Sequence, residues 1–419
     1  MPTPRPTTWP GPFPSSAPHL ASIYHASRPA KPHYNSPPSH LIFFIPGNPG
    51  LVSYYDTFLA HIAKRVPTAS VLGVDHAGFS GTGEGGWWGK VGLGGWMGAK
   101  RVYTLAEQVQ MKREMMGVFW EAEKRRWEAG GEGAGRMENE TRMTAMGGSD
   151  SGYGSATASG AATPLQVGME MRNRGGAEFG IVEAEGGEEE EDNEGFNPKI
   201  VLIGHSMGSW LLLETLTALS SFSPSPSSTS SPTPIPTPHL AILLTPTIID
   251  ISLSPQGKAL TPIITHPLGY HIAQATVTAI SIAASCIPGF TSVAAWASGN
   301  TAEHVSATLR PWVVRQMVGL AAEEMKVISK ERWGFDVEEG AKRVVERELK
   351  GLKGTETKMV WFFAERDGWV GEGVVERVEA WGVGRVLRDK TGVGHAFSLR
   401  HAEEVAEVVR GIVEVEVGL

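Results

Sequence analysis

Short, mostly apolar runs recur along the chain, and a loop rich in glycine or proline follows most of them. These runs occupy residues 41–45, 70–74, 200–203, 239–245 and 358–363. Runs of this length with apolar interiors are typical of strands that are buried on both faces of a parallel sheet. Longer segments between them place apolar residues three and four positions apart, which indicates helices. The pattern predicts an α/β protein whose mostly parallel central sheet is flanked by helices.

Three segments lack this pattern. Residues 1–39 are rich in proline, residues 130–197 combine Gly, Ser and Thr with an acidic run, and residues 220–238 are nearly all Ser, Pro and Thr. We expect the first two to be disordered, because they cannot bury enough apolar surface to order themselves. The two internal segments are expected to be inserts in surface connections of one domain, residues 40–419.

Charge and cysteine content exclude several classes of protein. The formal net charge is −8, and residues 183–194 hold eight carboxylates and no basic residue, so the rest of the chain is neutral overall. Without a basic stripe, we expect no nucleic-acid partner. The single cysteine, Cys286, excludes an intramolecular disulfide, and no Cys/His cluster suggests a metal or another cofactor. Residues 1–39 do not have the pattern of a secretory signal, so we expect a location on the cytosolic side.

One long stretch, residues 259–302, contains no Asp, Glu, Lys or Arg. With the predicted helices at 302–330 and 337–350, it forms a region, residues 259–350, in the place of a cap or lid. Three hypotheses fit residues 262–297: a transmembrane helix, a buried lid, or a hairpin lying in a lipid monolayer and turning at Pro288-Gly289. A transmembrane span would separate the last strands from the earlier ones. We therefore favour the hairpin, with the buried lid as the alternative.

The run at 200–203 leads directly into Gly204-His205-Ser206-Met207-Gly208, and an apolar helical pattern follows from Trp210. This is the arrangement of a nucleophile elbow, in which flanking glycines let a strand and a helix cross closely around a serine. The bare pattern arises easily by chance in a chain rich in glycine and serine, and a plain tight turn is the alternative. The strand before it and the helix after it favour Ser206 as a nucleophile.

The loop Pro46-Gly47-Asn48-Pro49-Gly50 follows the first apolar run. A loop in this position supplies one of two backbone N–H groups that bind the oxyanion during acyl transfer. The other N–H group comes from the residue after the nucleophile, here Met207. Because Pro49 has no N–H group, we predict Asn48 as the first donor, with Gly47 as the alternative.

Two residues near the C-terminus complete a candidate triad. Asp367 lies in the loop after the run at 358–363, and His395 lies in a glycine-rich loop before the final helix. Nucleophile, acid and base then follow one another in a chain order known for Ser-Asp-His triads. Asp250 also lies beyond a strand that follows the elbow and is the rival acid, and Glu365 is a weaker candidate.

Two histidines beside these loops are candidates for the substrate pocket. His76 follows the run at 70–74, and His205 precedes Ser206. Open α/β sheets place their binding sites at the carboxyl ends of the strands, where both histidines are expected. For His76, the alternative is a histidine that hydrogen bonds to backbone groups in a tight loop.

Taken together, these residues resemble the lipid droplet-associated hydrolase family of α/β-hydrolases. The resemblance spans residues 41–419 apart from the two inserts. The motifs that carry it are Ile45-Pro46-Gly47-Asn48-Pro49-Gly50 with Tyr54-Tyr55, His76-Ala77-Gly78, Tyr103-x-Leu105-x-x-Gln108-Val109-x-x-Lys112, Gly204-His205-Ser206-Met207-Gly208-Ser209, Pro246-Thr247-Ile248, Ser254-Pro255-x-Gly257, Thr261-Pro262, Asp367-x-Trp369 and His395-Ala396-Phe397. Asn-Pro-Gly after the first strand is more particular than Gly-x-Ser-x-Gly, since most hydrolases carry His-Gly there.

The resemblance implies an α/β-hydrolase fold with a helical apolar lid insertion and a serine esterase or lipase-type activity. It implies neutral lipid esters, either sterol esters or acylglycerols, as substrates. The partner surface would be the lipid droplet, on its cytosolic face, with the endoplasmic reticulum membrane as a second location. Ser206 would attack the ester, His395 would transfer the proton, and Asp367 would hold the imidazole. The alternative is a droplet-surface protein that uses the fold for lipid binding or organelle contact, with little or no turnover.

Overall fold

The computed structural model describes residues 23–26, 38–79, 102–128, 196–220, 235–287, 289–298, 301–328 and 357–418. Seven strands in these ranges form one sheet. They are β1 Ile23–Ala26, β2 His40–Ile45, β3 Ala69–Val74, β4 Lys199–His205, β5 Leu240–Leu244, β6 Lys358–Phe363 and β7 Arg385–Arg388. Their order across the sheet is β1-β3-β2-β4-β5-β6-β7. All neighbours pair in parallel except β1, which is antiparallel to β3, so the predicted mostly parallel sheet is confirmed.

The strand β1 corrects the prediction for the N-terminal segment, which was expected to be disordered throughout residues 1–39. Its register pairs Ile23 with Val74 and Ala26 with Val71. The four residues Ile-Tyr-His-Ala contain no proline, and isoleucine and tyrosine favour strands. A strand at the edge of a sheet needs only one neighbour, so even a short run in a proline-rich context can pair there.

The same ranges contain ten α-helices, of which the first nine lie between strands and the last follows β7. They are α1 Asp56–Arg65, α2 Leu105–Glu128, α3 Met207–Ser220, α4 Pro255–Ile264, α5 Pro267–Cys286, α6 Phe290–Ser298, α7 Ala302–Thr308, α8 Pro311–Val327, α9 Val374–Trp381 and α10 Ala402–Val417. Residues 130–195 and 221–234, which make up most of the two predicted inserts, lie outside the described residues, as does the predicted helix at 337–350.

The central strands are buried on both faces, as their apolar runs predict. In β2, Leu41, Phe43 and Ile45 pack into a core with α2 and α3, whereas Ile42 and Phe44 pack into a second core with α1 and α10. Successive side chains of a strand point to opposite faces. An unbroken apolar run is therefore what a strand between two helical layers requires.

The chain forms the five helices α4 to α8 between β5 and β6. Helix α5 packs against α4 and α8, and its more buried positions, such as Tyr270, Val277 and Ser281, recur at helical spacing. Its other side exposes Leu268, Ile272 and Ile280. This segment is therefore not a wholly buried lid.

Helix α5 ends at Cys286 and α6 begins at Phe290, and Gly289 between them has a φ of 79°. The hairpin hypothesis places a turn at this point. No helix in the described part of the chain is long and apolar enough to span a membrane.

Candidate active site

Ser206 lies on the turn between β4 and α3 and has a positive φ of 54°. A Cβ atom at Gly204 would lie 2.6 Å from the carbonyl oxygen of Gly208, and one at Gly208 would lie 2.3 Å from the carbonyl oxygen of Ile45. Backbone atoms cannot move aside as a side chain can, so both positions require glycine. The two glycines allow the tight crossing of strand and helix that defines a nucleophile elbow.

The structure joins Ser206, His395 and Asp367 in one hydrogen-bonded chain. Ser206 Oγ lies 2.8 Å from His395 Nε2, and His395 Nδ1 lies 2.7 Å from Asp367 Oδ2. The side chain of Asp367 is only 4% exposed, and its Oδ1 accepts a hydrogen bond from the backbone N–H of Trp369 at 2.8 Å. A carboxylate on Nδ1 keeps the proton on that nitrogen, so Nε2 of the neutral ring is free to accept the serine proton.

Of the three carboxylates considered from the sequence, Asp367 is the one that contacts His395. Asp250, whose φ is 43°, instead immediately precedes a short 3-10 turn, Ile251–Leu253. Glu365 is exposed.

Two contacts position the loop that carries the acid. Arg366 forms a parallel bridge with Gly394, which joins this loop to the loop of His395. The backbone N–H of Gln256 in α4 donates to the carbonyl of Gly368 at 3.0 Å, and a Cβ atom at Gly368 would lie 1.8 Å from the Gln256 side chain. The acid loop is therefore fastened both to the histidine loop and to the first turn of α4.

Of the two predicted oxyanion donors, Asn48 lies in the loop after β2 and Met207 directly follows Ser206. The N–H of Gly47 donates to Tyr55 Oη at 3.2 Å, which leaves Asn48 as the candidate donor of its loop. Met207 is the first residue of α3, and N–H groups of a first helical turn have no partner within the helix. The side chain of Asn48 does not serve Ser206: its Nδ2 donates to Glu324 Oε1 of α8 at 2.9 Å and to the carbonyl of Met317 at 3.2 Å.

His76 does not line an open pocket, contrary to the prediction. Its ring is fully buried beneath Gly50, where an added Cβ atom would lie 2.3 Å from His76 Cδ2. Burial, and then the nearby Lys112, lower the pKa of His76 well below its ordinary value. A glycine at position 50 is what allows the ring to pack there.

The loop after β3 is clamped by two polar residues that lie four positions apart on α2. Gln108 accepts a hydrogen bond from the N–H of Ala77 at 2.7 Å and donates to its carbonyl at 3.1 Å. Lys112 Nζ donates to the carbonyls of Val74 and Asp75 at 2.7 and 2.6 Å. Burial lowers the pKa of Lys112 to about 7, and Asp75 opposes this shift. The sequence signal for this clamp was the pair Gln108 and Lys112 among mainly apolar buried positions of the helix.

His205 also does not line an open pocket. Its buried ring lies with Nδ1 2.6 Å from Tyr55 Oη and with Nε2 2.9 Å from the backbone carbonyl of His395. Burial, followed by the charge of His395, lowers the pKa of His205 to about 3, so the ring is neutral at ordinary pH. Sequence reasoning missed Tyr55 as a partner of this ring and Glu324 as a partner of Asn48.

The sequence profile of the lipid-droplet associated hydrolases matches residues 38–129 and 187–398. The chain belongs to the lipid-droplet associated hydrolase family. It is therefore a hydrolase of the α/β-hydrolase type, and the parallel sheet with its elbow serine is the fold that this family membership implies. Among the residues described by the structure, no group of three or more His, Cys, Asp or Glu side chains is placed to hold a metal ion.

The solved structures that match this chain share little of its sequence. DBJA is 11% identical, with 95% of each chain covered and a TM-score of 0.47. A lipase-esterase related protein from Clostridium acetobutylicum is 12% identical, with 94% of this chain and 99% of that chain covered and a TM-score of 0.42. A haloalkane dehalogenase loop variant from Bradyrhizobium elkanii is 9% identical, with 95% and 97% covered and a TM-score of 0.45. A search of curated protein sequences finds no match.

Proposed function

We propose that this member of the family is a serine ester hydrolase that acts on neutral lipid esters, either sterol esters or acylglycerols, at the surface of lipid droplets. One observation carries the proposal. Ser206, at a nucleophile elbow, is hydrogen bonded to His395, and His395 is hydrogen bonded to the buried carboxylate of Asp367. This arrangement can activate a hydroxyl group as a nucleophile at neutral pH.

In the first half of the reaction, Ser206 Oγ attacks the ester carbonyl carbon while His395 Nε2 takes the hydroxyl proton. The negative charge that forms on the carbonyl oxygen is bound by the N–H groups of Asn48 and Met207. When the tetrahedral intermediate collapses, the alcohol leaves and receives the proton from His395. Ser206 then carries the acyl group as an ester.

In the second half, water replaces the alcohol. His395 takes a proton from the water, the resulting hydroxide attacks the acyl group, and the carboxylic acid is released as the proton returns to Ser206. Asp367 stabilises the imidazolium that forms in both halves and keeps the ring in the required tautomer.

The exposed surface of α4 to α6 supports a lipid interface as the place of action. Nine of the eleven large apolar side chains that are exposed in the described residues lie between Leu253 and Val293, and residues 259–302 carry no Asp, Glu, Lys or Arg. Adsorption of such a face to lipid strengthens with the apolar area that it buries, at about 25 cal/mol per Å². We propose the droplet monolayer as its main partner and the endoplasmic reticulum membrane as a second one.

Helix α8 connects this surface to the loop that carries Asn48. It packs against α5 and, through Glu324 and Met317, holds the side chain of Asn48. A lipid-bound α5 would therefore lie one helix away from the proposed oxyanion loop. An ester held in the monolayer could then reach Ser206 without first dissolving in water.

The test is labelling by a fluorophosphonate probe, combined with hydrolysis of a short soluble ester and of emulsions of a sterol ester and a triacylglycerol. We expect Ser206→Ala to abolish labelling and hydrolysis. Ser209→Ala is the matched control, since Ser209 lies one helical turn away and its hydroxyl donates to the carbonyl of Gly204 at 2.9 Å. Turnover by Ser206→Ala above about a hundredth of the parent rate would refute the assignment. A parent protein that binds droplets but is neither labelled nor active would instead be a lipid-binding surface protein.

A further inference from the structure

A buried chain of three hydrogen bonds connects the proposed oxyanion loop to the backbone of the proposed base. The N–H of Gly47 lies 3.2 Å from Tyr55 Oη, Tyr55 Oη lies 2.6 Å from His205 Nδ1, and His205 Nε2 lies 2.9 Å from the carbonyl oxygen of His395. Tyr55 and His205 are 4% and 5% exposed. This chain of hydrogen bonds joins the loop after β2 to the loop of His395 through His205, the last residue of β4.

The groups at the two ends fix which atom donates and which accepts in each hydrogen bond of the chain. The carbonyl of His395 can only accept, so His205 Nε2 carries a proton and donates it. His205 Nδ1 of the neutral ring is then an acceptor, and the hydroxyl of Tyr55 must donate to it. The oxygen of Tyr55 remains free to accept from the N–H of Gly47. Each polar group in the chain is therefore satisfied, which matters because an unpaired buried polar group is costly.

Close packing allows these residues little freedom to move. A Cβ atom at Gly47 would lie 2.9 Å from Ser206 Cβ and 3.0 Å from His205 Nδ1. The ring of His205 meets that of the fully buried Phe397 edge to face at 4.9 Å, and Tyr55 packs against Phe44 at 4.7 Å between ring centroids. A shift of Tyr55 or His205 would therefore be passed directly to the elbow and to both loops.

We propose that Tyr55 and His205 are positioning residues that hold the oxyanion loop and the His395 loop in register around Ser206. The inference rests on the proposed function, because it assigns these loops their catalytic roles. The hydrogen bond from the N–H of Gly47 to Tyr55 fixes the Pro46–Gly47 peptide, which lies one peptide before the one that carries the N–H of Asn48. By engaging the carbonyl of His395, the chain of hydrogen bonds fixes the height of the imidazole above the elbow. The neutral His205 ring also adds no positive charge beside the imidazolium that forms on His395 during the reaction.

The first test compares two neighbouring tyrosines. Tyr55→Phe removes the hydroxyl at the centre of the chain and keeps the ring. Tyr54→Phe is the matched control, because the hydroxyl of Tyr54 contacts His304 and Thr308 in α7 and not the catalytic loops. We expect Tyr55→Phe to lower kcat for a short soluble ester by about tenfold to a hundredfold, as small displacements of reacting groups do, with KM changed less than about twofold. Tyr54→Phe should keep the parent kcat.

The second test is a double-mutant cycle. His205→Gln keeps a side-chain N–H near the position of Nε2 and loses the acceptor for Tyr55. Because His205→Gln and Tyr55→Phe cut the same hydrogen bond, the double variant should lose about as much kcat as the more damaging single variant. Losses that multiply, or a Tyr55→Phe variant that matches Tyr54→Phe in kcat, would overturn the proposal.

Amide hydrogen exchange tests the chain independently of catalysis. In Tyr55→Phe, peptides covering residues 45–50 and 393–397 should both exchange faster than in Tyr54→Phe, because the same chain of hydrogen bonds holds both loops. Unchanged exchange in either peptide would overturn the coupling of the two loops. A parent protein without labelling or turnover would refute the proposed function, and the exchange comparison would still decide whether the chain couples the loops.

Discussion

The buried carboxyl group of Glu324 should make the stability of the protein depend on pH in a predictable direction. Glu324 lies on α8, is 4% exposed, and accepts a hydrogen bond from Asn48 Nδ2. Burial raises its pKa from the ordinary value of 4.5 to about 8, the neighbouring Glu323 adds to this effect, and the hydrogen bond from Asn48 opposes it. Glu324 is therefore mostly protonated near neutral pH.

The sign and size of the effect follow from proton linkage. Between about pH 4.5 and about pH 8, Glu324 binds a proton in the folded chain and has lost it in the unfolded chain, so the free energy of unfolding falls as pH rises. The slope is about 1.4 kcal/mol per pH unit. The contribution is fully present below about pH 4.5 and is lost as pH rises through about 8. Glutamine keeps the acceptor oxygen and cannot titrate, so Glu324→Gln should remove this slope.

The assay is denaturant unfolding of the parent and of Glu324→Gln at several pH values. Relative to the parent, Glu324→Gln should gain roughly 3 kcal/mol in free energy of unfolding from about pH 5.5 to about pH 7.5. Glu323→Gln is the matched control. Glu323 is only half-buried, although its pKa is also raised by burial. Because this variant retains Glu324, the difference in free energy of unfolding between it and the parent should change much less with pH. A stability difference between parent and Glu324→Gln that does not change with pH would refute the reasoning.

Three further predictions follow from the site and the surface. Asp367→Asn should lower kcat by about 10³ to 10⁴, because the imidazole of His395 is then held in the wrong tautomer. Asp250→Asn should lower kcat far less, and steady-state kinetics measures both losses. Deleting residues 130–192 should change neither the melting temperature nor kcat substantially, because that composition cannot support a packed core. Droplet flotation should fail when three exposed isoleucines of the α5 region become Asp, while short-ester hydrolysis persists; these are Ile272, Ile280 and Ile287.

The flotation experiment has a matched control on another helix. Val408 and Val415 are also exposed apolar residues, but they lie on α10, and changing both to Asp should leave droplet binding intact. If the isoleucine variant still floats with droplets, the lipid contact lies elsewhere. A larger loss of kcat for Asp250→Asn than for Asp367→Asn would transfer the role of the acid to Asp250. A large fall in melting temperature after the deletion would mean that residues 130–192 pack on the core.

Local pattern in the sequence was sufficient to predict the sheet. Residues 41–45 and 200–203 are apolar without interruption, and a strand between two helical layers needs apolar side chains on both faces. The elbow was also predictable, because Gly204-His205-Ser206-Met207-Gly208 stands directly between an apolar strand run and an apolar helical pattern. Such features depend on residues that are close together in the chain, so a short stretch of sequence carries the whole signal.

Only the tertiary structure decided which distant side chains meet. Sequence order left Asp250 and Glu365 as alternatives to Asp367 for the acid, and in the structure His395 Nδ1 contacts Asp367. His205 reads as a pocket residue from its position beside Ser206, yet it bonds to Tyr55, 150 positions away, and to the carbonyl of His395, 190 positions away. A histidine beside a nucleophile carries the same local pattern whether its ring faces a substrate or the protein interior. Its direction depends on the packing of loops from opposite ends of the chain, and no local pattern encodes that packing.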